Sequence, residues 1–329
     1  MKKILNALFE HKSLTREQAR EVLHNISANL YSDAEIAAFI TVYLMRSITI
    51  EELQGFRDAL MDLCVPVDLN GHDLIDIVGT GGDGKNTFNI STLSCFIVAG
   101  TGTKVAKHGN YGASSISGSS NVMEQLGYTF KKDNAVLQQE LEDANICFLH
   151  APLFHPALKV VGPIRKNLGI RTFFNMLGPM VNPASPKYQL VGVYNLEMAR
   201  IYNYLLQQGN SAFTIIHSLD GYDEISLTGD VKVITNAGEK IYSAEDLGKR
   251  TVSPADIYGG NSVEEAAKIF LTILKGAGSW AQNAVVLANS AMALQCTGKY
   301  DSYDTCYQLA VESLESGRAY RSLQKLTGR

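Results

Sequence analysis

The sequence predicts an α/β protein: a small N-terminal α-helical domain, residues 1–66, and a large α/β domain, residues 73–329, with a mainly parallel central sheet. Three observations carry this expectation. Capping boxes follow one another along the first 65 residues with no strand pattern between them. From Leu74 onward, short apolar runs alternate with amphipathic ones. Two glycine-rich stretches each follow an apolar run and precede a helical pattern.

Composition sets the outer bounds. At 329 residues the chain suits two domains, at roughly 150 residues each. Hydrophobic content of 46% and charged content of 19% describe an ordinary globular protein. The net charge of −4 argues against broad nucleic-acid binding, yet it leaves room for a locally positive pocket. Cys64, Cys95, Cys147, Cys296 and Cys306 form no CxxC pair, which suggests no disulfide framework and fits the cytosol. The apolar run near the N-terminus, Ile4–Phe9, is too short for a signal-peptide core. No run approaches the roughly 20 residues that span a bilayer. The expectation is a soluble, cytoplasmic protein with no membrane partner.

Taken in order, the boxes Thr15 with Gln18, Ser32 with Glu35 and Thr49 with Glu52 start three helices of a four-helix lobe. Pro66 ends the helical run, and residues 67–72 read as a linker. Strands are expected at Leu74–Val78, Lys104–Lys107, Ile146–His150, Gln189–Val193, Phe213–His217 and Val231–Thr235. Helices are expected at Ser91–Ala99, Asn121–Gly127, Ala135–Ala144, Glu197–Gln207, Val263–Lys275, Trp280–Cys296 and Tyr303–Ser316. The proline-bearing stretch Pro156–Pro186 can leave the sheet and return, so part of 163–187 is expected to join the helical domain.

The stretch Gly79–Thr92, GTGGDGKNTFNIST, organises the rest. Four glycines within six residues allow close backbone approach and positive φ. Strand, glycine turn and helix start together present N–H groups that suit phosphate. The dinucleotide fingerprint GxGxxG fits Gly79, Gly81 and Gly84, but the acidic residue required about 20 positions later is replaced by basic GTKVAKHGN. A P-loop fits Gly79, Gly84 and Lys85, but Asn86 stands where Ser or Thr would bind magnesium. A ligand-free glycine turn leaves the adjoining Asn89, Ser91 and Thr92 unexplained. The second stretch, Lys107–Gly127, adds Gly, Ser and Asn donors with Lys107 as a point charge. Two such loops at neighbouring strand ends suggest a ligand with two separated phosphate groups.

The motifs GTGGDG…TFNIST, KHGN…SS…GS, HPALKVVGPIRKNLGIRTFFNMLGPMVNPA and DEIS, in this order, resemble anthranilate phosphoribosyltransferase over nearly the whole chain. The resemblance implies a nucleoside phosphorylase/phosphoribosyltransferase-like fold, a homodimer formed through the helical domain, and a place in tryptophan biosynthesis. It also implies transfer of phosphoribose from phosphoribosyl pyrophosphate to the amino group of anthranilate. Donor-binding positions of the family fall on Gly79, Gly82, Asp83, Thr87, Asn89, Ile90, Ser91, Thr92, Lys107, His108, Gly109, Asn110, Ser114, Ser115 and Ser119. Acceptor-binding positions fall on Gly79, His108, Asn110, His155 and Arg165. Those for Mg2+ fall on Ser91, Asp223 and Glu224. No acid/base residue is assigned, with positioning left to Asn110 and Arg165. Without the resemblance, Asp223-Glu224 would read as a solvated turn and Arg165 as a surface residue.

Three positions depart from the family pattern. Tyr111 follows KHGN where Arg is usual, Asn121 replaces the Asp of GSAD, and Tyr222 replaces the Leu of GLDE. Two other readings stay open at this point: a pyrimidine-nucleoside phosphorylase of the same fold, and a non-catalytic relative that binds nucleic acid. KHGN followed by the Arg165 segment argues against the first, and the acidic net charge with an intact DE pair against the second.

Overall fold

The computed structural model describes residues 1–112 and 115–328, which form two compact units. Residues 1–67 and 151–185 make the helical unit. Its helices α1 (Lys2–Phe9), α2 (Arg16–Ser27), α3 (Asp33–Met45) and α4 (Ile50–Asp62) include the three expected starts. Thr15, Ser32 and Thr49 each accept from the backbone N–H three residues on, and Gln18, Glu35 and Glu52 each answer the cap's own N–H.

Buried Glu52 does more than cap. It also accepts from Leu14 N (2.9 Å) and Arg46 Nη1 (2.9 Å), so one carboxylate ties the α1–α2 connection to the end of α3. The stretch 151–185 is held in the same unit by aromatic packing. Phe173 stacks on Phe56 with centroids 4.6 Å apart and meets Phe39 and Tyr43 edge-on. Arg57 Nε donates to Met180 O, and Val65 N to Phe154 O. The whole segment from Ala151 therefore belongs here, a longer return than the 163–187 piece read from sequence, because Phe154 and Phe173 have their apolar partners in this unit.

Residues 68–150 and 186–329 make the α/β unit. Among the described residues its sheet has seven strands: β1 (Ile75–Gly79), β2 (Val105–Gly109), β3 (Ile146–His150), β4 (Tyr188–Gly192), β5 (Ala212–Ser218), β6 (Val231–Thr235) and β7 (Gly238–Tyr242). Their order is β3-β2-β1-β4-β5-β6-β7, parallel from β3 to β5 and antiparallel at β6 and β7. Six strands match the apolar runs within a residue or so. β7 has no counterpart among the sequence expectations, because GEKIY is an exposed edge strand with no buried face to make a pattern.

Apolar helices cover the sheet. The helix Ile90–Gly100 is buried along almost its full length, and Gly100 lets the helix Arg318–Thr327 approach, since an added Cβ would strike Ser313 Oγ and Ala319 N. That C-terminal helix is likewise absent from the sequence reading. No helix among the described residues is long and apolar enough to cross a membrane.

The strand order reverses between β1 and β4, which lie side by side in the centre of the sheet with Gly79 opposite Gly192. Beyond the carboxyl ends of such strands, at the reversal point, open α/β sheets bind ligands.

Candidate active site

Gly79 ends β1, and the chain then turns through Gly81 (φ 61°), Gly82 (φ 80°) and Gly84 (φ 73°). A side chain at these three would be strained, so the turn requires glycine. Asn89 (φ −68°, ψ 66°) forms an inverse γ-turn at the helix start, with Ile90 N donating to Phe88 O at 2.6 Å. Ile90 and Thr92 point into the core, while Ser91 lies half-exposed beside the loop. Outside the turn, Gly259 closes on the loop: its N–H donates to Asn86 O (2.8 Å), and an added Cβ there would strike Thr87 O.

The β5–β6 connection brings the acidic pair onto this loop. Asp223 Oδ2 accepts from Gly81 N at 2.7 Å, and Glu224 Oε1 accepts from Ser91 N at 3.2 Å. Thr87 Oγ1 donates to Glu224 Oε2 at 3.4 Å. The expectation of N–H groups left open for phosphate is thereby corrected: Gly81 N in the glycine turn and Ser91 N at the helix start, which favours an anion, both hold carboxylates.

Burial pushes the Asp223 carboxyl up to about 7, and the neighbouring Asp83 charge adds to it. Burial, then Asp223 and Asp83, hold Glu224 well above the usual carboxylate range. Asp83 is raised mainly by burial. No Lys or Arg forms an ion pair with these three among the described residues. Nor do three His, Cys, Asp or Glu side chains converge there as a ready metal cage. Hard oxygens with no Lys or Arg ion pair among the described residues fit magnesium, which binds through one or two carboxylates, waters and substrate phosphates rather than an all-protein cage.

The acidic loop is braced from behind. Ser218 Oγ donates to Glu224 O (2.6 Å), and Asn289 exchanges hydrogen bonds with Ile225 N (3.0 Å) and Ile225 O (2.9 Å). Sequence reasoning finds neither residue. For Asn289 the signal existed: Asn289-Ser290 interrupts the apolar run Ala284–Leu294, and a buried amide in such a setting needs partners.

The second loop begins at the end of β2. Lys107 is buried, with Nζ donating to Ile77 O of β1 at 2.7 Å, and His108 N donates to buried Asp76 Oδ1. Gly109 is forced by Ser119, whose Oγ an added Cβ would strike. Asn110 accepts at its side chain from Tyr111 N (2.8 Å) and at its carbonyl from Ser119 Oγ (3.3 Å) and Ser120 N (3.1 Å). Asn121 Oδ1 accepts from Gly112 N (2.9 Å) and Gly118 N (3.0 Å), closing the loop at its neck. Asn89 Nδ2 donates to Ser117 O at 2.9 Å, which joins the two loops. Ser115 is exposed, and Ser114 lies outside the described residues.

Two assigned residues lie in the helical unit. Arg165, on the helix Ala157–Leu168, is half-buried, donates to Asn175 Oδ1 (3.2 Å) and covers the Phe174 ring at 5.5 Å. Among the described residues no carboxylate pairs with it, and burial lowers its pKa. His155 is buried and donates from Nε2 to Val181 O at 2.7 Å, so its ring serves the unit's interior.

Family models described as "Glycosyl transferase family, helical bundle domain" and "Glycosyl transferase family, a/b domain" match residues 2–64 and 71–320. Anthranilate phosphoribosyltransferase of Christiangramia forsetii is 58% identical over 326 residues, 99% of this chain and 98% of that protein. The chain belongs to the anthranilate phosphoribosyltransferase family. The corresponding enzyme of Bacteroides thetaiotaomicron is 56% identical over 99% of this chain and 98% of its own. The crystal structure of anthranilate phosphoribosyltransferase from Thermus thermophilus superposes with a TM-score of 0.91 at 31% identity, covering 98% of each chain. The Saccharomyces cerevisiae enzyme in complex with PRPP and Mg does so with a TM-score of 0.91 at 26% identity, covering 98% of this chain and 96% of that one.

Proposed function

We propose that this chain catalyses transfer of the phosphoribosyl group of phosphoribosyl pyrophosphate to the amino group of anthranilate, releasing pyrophosphate, in tryptophan biosynthesis. The observation that carries the reading is the joining of Asp223 and Glu224 to the glycine loop through Gly81 N and Ser91 N. Phosphate-type donors and hard metal ligands thus share one cluster. We assign the donor to Gly79, Gly82, Asp83, Thr87, Asn89–Thr92, Lys107–Asn110, Ser114, Ser115 and Ser119. Mg2+ goes to Ser91, Asp223 and Glu224. When bound, the metal supplies charge neutralisation for the pyrophosphate.

For the acceptor we assign Gly79, His108, Asn110 and Arg165, and we leave out His155, whose ring is engaged inside the helical unit. The half-buried Arg165 guanidinium has no carboxylate partner among the described residues and lies 5.5 Å from the centre of the Phe174 ring, which suits it to hold a planar carboxylate bidentately. An aryl amine is neutral at pH 7, so it needs no strong base. The C1–O bond to pyrophosphate breaks through an oxocarbenium-like state as the C1–N bond forms, pyrophosphate takes the bonding pair, and the resulting anilinium nitrogen gives one proton to solvent. The chain's contribution is positioning and charge stabilisation.

The same proposal includes a cytoplasmic homodimer without nucleic-acid or membrane partners. Exposed Phe9 and Met45 on the helical unit support self-association there, and sedimentation would measure it. The activity itself is tested by the loss of anthranilate fluorescence with phosphoribosyl pyrophosphate and magnesium. No consumption under any condition overturns it.

A further inference from the structure

Lys85 leaves the glycine loop and reaches the β5–β6 connection. Its N–H donates to Asp83 Oδ1 at 3.0 Å, and its Cε lies 3.8 Å from where a Cβ on Gly221 would stand. Its ammonium sits 4.5 Å from the centre of the Tyr222 ring. Tyr222 is only 4% exposed and directly precedes Asp223. An aromatic face holds a cation through its quadrupole and leaves the N–H donors that point away from the ring available. Among the described residues, Lys85 Nζ makes no hydrogen bond or ion pair.

The contrast with Lys107 is informative. That ammonium is buried and already donates to Ile77 O, so the first loop's cation with open donors is Lys85. At the second loop, Tyr111 stands where an Arg is usual and donates its hydroxyl to Glu124 (2.8 Å). A positive charge is thus missing on the second loop, while the first loop has one seated on the aromatic ring at 222.

We propose that Lys85, seated by Tyr222, is a positioning residue for the pyrophosphate moiety of the donor. It supplies from the first loop the charge that position 111 lacks. A diphosphate bound to the glycine loop would lie beside this ammonium, which can donate to its oxygens as a point charge. This inference rests on the donor reading above.

The test is calorimetric binding of magnesium pyrophosphate to the wild-type protein and to Lys85→Met, Lys85→Arg, Tyr222→Leu and Tyr222→Phe. Steady-state KM values for both substrates and thermal midpoints accompany it. Lys85→Met is expected to weaken pyrophosphate binding and raise the donor KM about tenfold, as loss of a charge-assisted contact does, with the anthranilate KM unchanged. Tyr222→Leu shifts the same quantities by less. Tyr222→Phe keeps wild-type values because the ring, not the hydroxyl, holds the cation, and Lys85→Arg recovers most of the loss. Wild-type pyrophosphate affinity in Lys85→Met overturns the inference, as does equal weakening in Tyr222→Phe and Tyr222→Leu. A wild-type protein that consumes no anthranilate defeats the functional reading instead. If the Met variant unfolds, the contrast between Tyr222→Leu and Tyr222→Phe, each with a wild-type midpoint, keeps the comparison decisive.

Discussion

Gly192 ends β4 directly under Asp223: a Cβ at position 192 would overlap the Asp223 carbonyl oxygen. Its neighbour across the register, Gly79, would meet the Asp223 carboxylate instead. The two central strands therefore end in glycine so that an acidic loop can lie flat across them. Backbone cannot rotate away as a side chain can, and this asymmetry sets the first prediction.

Gly192→Ala should displace the acidic loop and cost about 1–3 kcal/mol, as overpacking does. Transfer activity should fall far more than stability, since Asp223 moves with the loop. Gly79→Ala meets only a flexible carboxylate and should keep more of the fold's stability. Thermal midpoints and turnover of the two variants, side by side, test the ordering.

Arg165→Ala should raise the anthranilate KM about tenfold or more, the range of a charged hydrogen bond, while the donor KM stays near wild type. Arg165→Lys should recover little, because a point charge cannot reproduce a bidentate planar contact. Initial rates with each substrate varied in turn decide it. An unchanged anthranilate KM in Arg165→Ala removes the assignment.

Asn289→Ala leaves Ile225 N and Ile225 O without their partner. The expected cost is roughly 1–3 kcal/mol for buried unsatisfied groups. Magnesium-dependent stabilisation should weaken too, because the same backbone carries Glu224. Melting curves with and without magnesium measure both.

Stability without metal should fall as pH rises from about 4 to 7. The folded protein holds protons on Asp223, raised to about 7, and on Glu224, raised well above its usual range, that the unfolded chain has already released near pH 4. More protons bound in the folded state means that stability is present at low pH and lost as pH climbs through the folded values. Added magnesium should flatten this dependence by favouring the ionised carboxylates. Melting midpoints at pH 6 and pH 8 would show it, and a metal-free midpoint that rises over that interval contradicts the assignment.

Asn121→Ala should open the neck of the second loop by removing the acceptor of Gly112 N and Gly118 N. Asn121→Asp should keep it closed, since a carboxylate accepts both. Donor affinity is expected to fall severalfold in the first and to hold in the second, read by calorimetry with phosphoribosyl pyrophosphate.

What the sequence by itself determined were the features written in local chemistry. The capping boxes at Thr15, Ser32 and Thr49 need only neighbours three residues away, and all three formed. Buried parallel strands are apolar runs of fixed length, so β1 to β6 were legible within a residue or so. The turn at Gly81, Gly82 and Gly84 was equally readable, because positive φ leaves a glycine signature. β7 and the helix Arg318–Thr327 escaped for the opposite reason. An exposed edge strand shows no burial pattern, and a C-terminal helix rich in polar residues is placed by distant partners, Gly100 and, through Lys325, the Asp143 carbonyl.

Tertiary structure alone decided the partners that lie far apart in sequence. Asp223 reaches Gly81 across 142 positions, and Asn289 reaches Ile225 across 64. Nothing in local propensity points from one to the other. Whether the loop's N–H groups stand open or hold carboxylates depends on where the sheet returns its chain, and the reversal between β1 and β4 sets that. Lys107 illustrates the limit: its charge was visible in the sequence, but only the pairing of β1 with β2 directs its ammonium to Ile77 O and leaves Lys85 on the face of Tyr222.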